Sequence, residues 1–264
     1  MAQNIFEQYG IKEVADVQFE ALEANARLGV EAGDIVMYLD TLKVSTIEMS
    51  ADQTEAKGGK GNPPLIVWDF GKEISVTLQD ALFTSTSLAV MTSAAVKEAK
   101  NEGKVVVRYT QEVTAATSMT LAHTPKASTK VRWLDLDKGA RGQADAASTT
   151  VTLSGLTNAA AGDRIKFFYD VEADGTEGNT AYEISIDAKN FPGTYKVYGD
   201  TVIRNRNGKD SPYQFVIERA KVDSNVTFTM EAEGDPSVFD MNLRVLRAND
   251  GGMLKFIKYD LDDE

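Results

Sequence analysis

The sequence predicts a mainly β protein: one large β unit with a single flanking helix, interrupted by a small inserted β-sandwich. Three observations carry this reading. Apolar and polar residues alternate strictly in segment after segment, which is the period of a half-buried strand. One stretch alone has both the apolar spacing and the cap for a full helix. From about Lys104 to Asp174 the composition shifts to Ala, Thr and Ser, and turn-prone "AHTPKAST", "DLDKGARGQADAAST" and "SGLTNAAAGDR" separate short strands at the spacing of a small sandwich.

Taken in order, "NIFEQYGIKEVADV" is interrupted by Gly10 and suits a short N-terminal arm or turn as well as a helix; such arms order against a neighbour. Val17, Phe19 and Ala21 then alternate as a strand. Residues 34–50 and 64–79 form two long strands, each well beyond the usual five or six residues. The second alternates as Ile66, Trp68 and Phe70 and continues after Gly71 as Ile74, Val76 and Leu78. The helix starts near Asp80, a suitable N-cap, and runs through "ALFTSTSLAVMTSAAVKEAK" with Leu88, Met91 and Ala95 on one face, lysines near its end and a possible break near Thr84. Further strands follow at Val105, Val107, Tyr109; Ile165, Phe167, Tyr169, Val171; Tyr182, Ile184, Ile186; Tyr213, Phe215, Ile217; Val226, Phe228, Met230; and Phe239, Met241, Leu243, Val245. Residues 104–174 are thus read as an inserted module. Residues 1–103 and 175–264 then have to pair across it to complete one sheet system.

Composition narrows the chemistry. In 264 residues there is no cysteine and one histidine, which removes thiolate nucleophiles, cysteine metal sites, most zinc sites and nearly all Ser/His/Asp arrangements. The expectation is a protein that is not an enzyme and holds no cofactor. No apolar run approaches a membrane span, no secretory leader is legible at the start, and the site of synthesis and assembly is read as cytoplasm. A formal charge of −12 repels nucleic acid, and the only basic patches are short, such as "RNRNGK" at 204–209.

"QTEAKGGKGNPPLIVW" (53–68) places glycine beside lysine, as phosphate-binding loops do. Its glycines are in the wrong order, no Ser or Thr follows the lysine, and a strand follows where a helix is required. It reads instead as the tip of a hairpin whose shafts project beyond the domain body and offer edges to another subunit. His123 reads as a turn-adjacent hydrogen-bonding residue. The acidic clusters at 135–139, 170–179 and the C-terminus lack the order of a calcium loop and read as solvated turns. Trp68 and Trp133 read as core or interface residues.

Four segments together resemble the tail tube, or major tail, proteins of tailed bacteriophages: 38–83, 151–173, 191–222 and 228–246, about half of the chain. The resemblance implies a β-sandwich or barrel-like core with one flanking helix. It implies hexameric rings that stack into a tube, with DNA passing through the channel without specific binding. It implies a virion location, with sheath, tape measure or baseplate proteins as partners, assembly in the host cytoplasm, and an Ig-like inserted module. Contacts between subunits are then expected at the arm (Ile5, Phe6, Tyr9), the loop (Lys57, Gly58, Gly59, Lys60, Gly61, Asn62, Pro63), Trp68 and the acidic end (Asp262, Asp263, Glu264). The alternative is a baseplate, capsid-decorating or adhesion protein that binds host-surface glycans through the inserted module. A cell-wall hydrolase finds no nominated general acid.

Overall fold

A computed structural model describes residues 8–82, 84–100, 103–145, 148–226 and 238–260. The chain divides into two units, Met1–Val96 with Ile184–Glu264, and Lys97–Glu183.

In the first unit, β1 (Tyr9–Ile11), β2 (Asp16–Ala21), β3 (Ile35–Leu39), β4 (Leu42–Lys57) and β5 (Pro64–Asp80) precede the helix α1 (Ser85–Thr92) and β6 (Ala95–Glu98). After the second unit and β13 (Tyr182–Ser185) come β14 (Thr194–Asn205), β15 (Asp210–Val222), β16 (Phe239–Val245) and β17 (Leu254–Lys258). Nine strands make one antiparallel sheet in the order β3-β2-β14-β15-β16-β5-β4, with β1 also beside β14 and β17 beside β15. Because β2 pairs with β14 and β5 with β16, segments from both sides of the second unit share one sheet. The sheet curls without closing into a barrel. Its alternating inward residues, among them Val17, Phe19, Val76, Leu78, Val197, Ile217 and Leu243, meet in one fully buried core that also takes Val90 and Met91 of α1.

Four elements depart from the sequence reading. The strand expected over 34–50 is interrupted at Asp40 and Thr41 and then runs on to Lys57, so the loop shrinks to residues 58–63. The helix is eight residues long and is capped by Thr84, not Asp80. The Thr84 hydroxyl accepts the Ser87 N–H, the Ser87 hydroxyl accepts the Thr84 N–H, and Ser93 ends the helix in the left-handed region at φ 54°. Asp80 lies buried at the end of β5, where one carboxylate oxygen accepts the Thr41 hydroxyl at 2.5 Å and the Leu82 N–H at 3.2 Å. The lysine-bearing stretch expected at the helix end is strand β6, which pairs with β13. The N-terminal segment carries strand β1 beside the end of β14. Phe228 and Met230, of the strand read around Val226, lie outside the described residues.

The second unit contains β7 (Val105–Thr114), β8 (Ser118–Thr120), β9 (Lys130–Asp135), β10 (Arg141–Asp145), β11 (Thr150–Thr152), a single 3-10 turn (Leu153–Gly155) and β12 (Arg164–Ala173). A four-stranded sheet, β10-β9-β12-β7, faces the ribbon β8-β11 across a core of Val131, Trp133, Ile165, Phe167 and Tyr169 against Met119, Leu121 and Val151. Gly142 is required here: a Cβ on it would sit 2.8 Å from the Trp133 ring on the paired strand. Tyr169 is fully buried, its hydroxyl donates to Gln111 at 3.2 Å, and it accepts the His123 N–H at 3.3 Å, while the His123 ring stands edge-on to Tyr109.

The cluster "DLDKG" is not simply a solvated turn. Asp135 is fully buried and folds its chain into the β9-β10 turn by accepting the N–H groups of Asp137 and Lys138. Asp163 is held below the usual carboxylate range by the Lys138 ammonium and the Ala160 N–H.

Candidate assembly interface

The functional feature of the first unit is the β4-β5 hairpin. At its root the ladder pairs Ile47 with Val76 and Met49 with Ile74, and Ile74, Val76 and Leu78 point into the core. Beyond Glu73 the ladder slips: Ser50 faces Glu73, but Asp52 faces Phe70, so β5 carries one extra residue. Gly71, at φ +62°, is the bulge, in a backbone region that side-chain-bearing residues rarely adopt.

The extra residue reverses the face to which the following side chains point. The alternation read as continuous through Gly71 therefore switches sides there. Ile74 and Val76 face the core, whereas Phe70, Trp68 and Ile66 line up on the opposite face of the ribbon, across from Asp52, Thr54 and Ala56.

All residues from Pro64 to Glu73 are exposed, so this part of the ribbon stands clear of its own core. At ~3.3 Å per residue the clear length is roughly 33 Å. Ile66, Trp68 and Phe70 keep 52%, 50% and 54% of their surface open, and Leu65 and Val67 are also exposed. A two-stranded ribbon that is apolar and solvated in this way is a site for a partner.

The tip is a tight turn. The Gly58 N–H donates to the Pro63 carbonyl and the Asn62 N–H to the Gly59 carbonyl, with Gly59, Gly61 and Asn62 at positive φ. Lys57 pairs with Glu55 of its own strand at 2.9 Å, and Lys60 is exposed. The tip joins two strands and meets no helix N-terminus, so it has no phosphate cradle.

The expected contact residues thus divide. Lys57, Gly58, Gly59, Lys60, Gly61, Asn62, Pro63 and Trp68 share the hairpin. Tyr9 sits apart on β1, where its hydroxyl accepts from Lys258 at 2.8 Å. Ile5, Phe6, Asp262, Asp263 and Glu264 lie outside the described residues.

A second feature of this unit has no counterpart in the sequence reading. Between β1, β4, β15 and β17 lies an apolar groove of about 500 Å³, lined by Ile11, Val14, Val44, Tyr213, Phe215 and Phe256 among others. Ala15 and Ser45 bridge its floor, the N–H of one donating to the hydroxyl of the other at 3.5 Å. Tyr213 and Phe256 stack at 5.7 Å. These residues come from separate stretches of chain, and the only local hint is an apolar side chain at the outward positions Ile11 and Phe256, both exposed.

Nearby, Arg204 grips Asp210 with two hydrogen bonds of 2.5 and 2.7 Å. This contact, with Lys12 adding to it, pushes the Asp210 carboxyl down to about 2.

The charge is unevenly divided. The first unit carries 17 basic and 28 acidic residues, the second 11 and 12. On the outer face of the second unit's sheet, Arg132, Arg141 and Lys166 surround Phe168 and Leu134, while neighbouring cations are tied to carboxylates: Lys130 to Asp145, Arg108 to Asp170 and Arg164 to Asp137. Among the described residues no three His, Asp or Glu side chains are placed to hold a metal ion, and no helix is long and apolar enough to cross a membrane.

No curated protein matches the chain. Residues 9–258, which include the hairpin, the groove and the whole second unit, match the model of the YomU/Tube protein family. The chain belongs to the YomU/Tube protein family, which places it among phage tube-like proteins.

Proposed function

We propose that the protein is a tail tube subunit that polymerises into stacked hexameric rings, forming the virion conduit through which DNA is ejected. One observation carries this reading. The hairpin holds an apolar strip clear of its own domain, and an exposed apolar strip of this kind marks a surface for another subunit to cover. Membership of a tube-like phage protein family supports a tube as the kind of assembly. The acidic balance of the first unit supports a conduit that lets DNA slide, because carboxylates repel phosphate. In this reading the subunit's main partner is itself, with sheath, tape measure or baseplate proteins at the tube's ends and surface. Residues 97–183 are an Ig-like decoration. The residues expected at ring contacts are those of the hairpin tip, Trp68, Tyr9 and the two chain ends.

The test is negative-stain electron microscopy of the purified protein. Tubes or rings of uniform width are the expected outcome. A strictly monomeric protein at high concentration would refute the reading. Deleting residues 56–62 is expected to leave the subunit folded and stop polymerisation.

The outer face of the second unit favours a further role in adhesion. Arg132, Arg141 and Lys166, which meet no carboxylate among the described residues, surround Phe168 and suit an anionic, ring-bearing ligand such as an acidic glycan. Binding of the whole protein to an acidic-glycan array that is lost on Arg132→Glu supports it; equal binding by both proteins counts against it.

A further inference from the structure

We propose that the apolar groove between β1, β4, β15 and β17 receives the Ile66, Trp68 and Phe70 strip from the hairpin of a second copy, so that subunits link head to tail. The inference rests on the tube reading and names the surface at which the hairpin engages.

The groove is an unfilled extension of the core. Ala15 and Phe215 are buried core residues that line it, and Ile11, Val14, Val44 and Phe256 leave its walls apolar and exposed. The strip offers what the groove lacks, two aromatic rings and an aliphatic side chain in a row. Charge agrees with the fit: Lys43 stands at the groove and Asp52 stands on the strip's face, directly across from Phe70.

A subunit cannot fill its own groove. Val44 and Ile47 of β4 form one wall, and β5, paired along the length of that same β4, carries the strip opposite Asp52, Thr54 and Ala56, centred about nine residues further on. Acceptor and donor therefore sit at the root and the far part of one continuous ribbon, their centres roughly 28 Å apart at the rise of a strand. A donor patch and a different acceptor patch on one molecule make a heterologous contact, which propagates into a filament unless it closes.

The area involved also favours a polymer over a dimer. Three half-exposed side chains bury roughly 300 Å² on the strip's side, well under the ~800 Å² per partner of a stable pair. One such contact is weak, and it holds only when repeated around a ring.

The chain has no cysteine, so introduced thiols report without background. Val14→Cys and Thr54→Cys, the latter lying across from Trp68 on the strip's face and leaving the indole in place, are prepared separately, mixed under assembly conditions and oxidised. A disulfide-linked dimer from the mixture, and from neither variant alone, is the expected result. Tubes in the micrographs with no such crosslink would overturn the docking and leave the tube reading standing; absence of both tubes and crosslink overturns both. A Thr54→Cys pair linked to itself shows that two strips meet. An intramolecular crosslink of Val14→Cys to Phe6→Cys gives the groove to the chain's own N-terminus. Either result defeats the proposal.

A charge swap guards against variants that fail for other reasons. Lys43→Glu and Asp52→Lys are each expected to raise the critical concentration about 3-fold, the range of an exposed ion pair, and to restore it when one copy's glutamate meets the other's lysine. Additive losses without rescue overturn the pairing.

Discussion

Replacing Trp68 by alanine separates folding from assembly, because half of this side chain is already covered within the hairpin and half is open. A tryptophan buries at most about 250 Å², so the open half is on the order of 100 Å². At ~25 cal/mol per Å² its burial in a neighbour is worth about 2.5 kcal/mol, of which alanine retains a small part. Losing ~2 kcal/mol per added subunit raises the critical concentration for polymerisation about 30-fold. The monomer's melting temperature should hardly move, since beyond Gly71 the indole lies on the face of the ribbon away from the core. Sedimentation of a dilution series gives the critical concentration, and circular dichroism of the dilute monomer gives its stability. An unchanged critical concentration would refute the placement of Trp68 at a contact. A large drop in monomer stability would refute the claim that the strip stands clear of the body.

Gly142→Ala forces a Cβ to within 2.8 Å of the Trp133 ring, and overpacking of this kind costs about 1–3 kcal/mol. The second unit should then melt about 5–15 °C lower, with Trp133 fluorescence reporting it; an unchanged transition would show that the ring can shift freely. Thr84→Ala removes half of the capping box, an expected loss of about 1 kcal/mol in the first unit's denaturant midpoint, which Thr84→Ser should largely restore. Asp210 titrates near 2 because Arg204, and after it Lys12, hold the carboxylate. Its folded value lies below the unfolded one near 4, so its contribution to stability is fully present above about pH 4 and is lost as pH falls through about 2. Arg204→Met should raise the Asp210 value in a carbon-detected NMR titration, and the two proteins' stabilities should converge at the acid end; a titration unmoved by the substitution would contradict this cause.

Most strands were legible because alternation is a local property: Val17, Phe19 and Ala21, or Ile165, Phe167 and Tyr169, fall on one face whatever they pair with. The hairpin was legible too, since long alternating runs around a glycine- and proline-bearing tip leave few other arrangements. The sequence by itself determined a mainly β chain without thiols, with a single histidine, with a projecting hairpin and with an acidic surface. Five things were decided only by the tertiary structure. Ser87 completes a box with Thr84, which moved the start of the helix past Asp80. Pairing with β13 turned the lysine-bearing stretch after the helix into strand β6. The two tryptophans look alike in sequence, yet Trp133 packs beneath Gly142 in a core while Trp68 stands half open. The face of the Ile66 strip depends on the ladder slip opposite Asp52, and the groove is assembled from β1, β4, β15, β17 and their neighbours. The physical reason is common to these last cases: side-chain direction along a strand is local, but register and the meeting of distant strands are set by pairing energies between residues far apart in the chain.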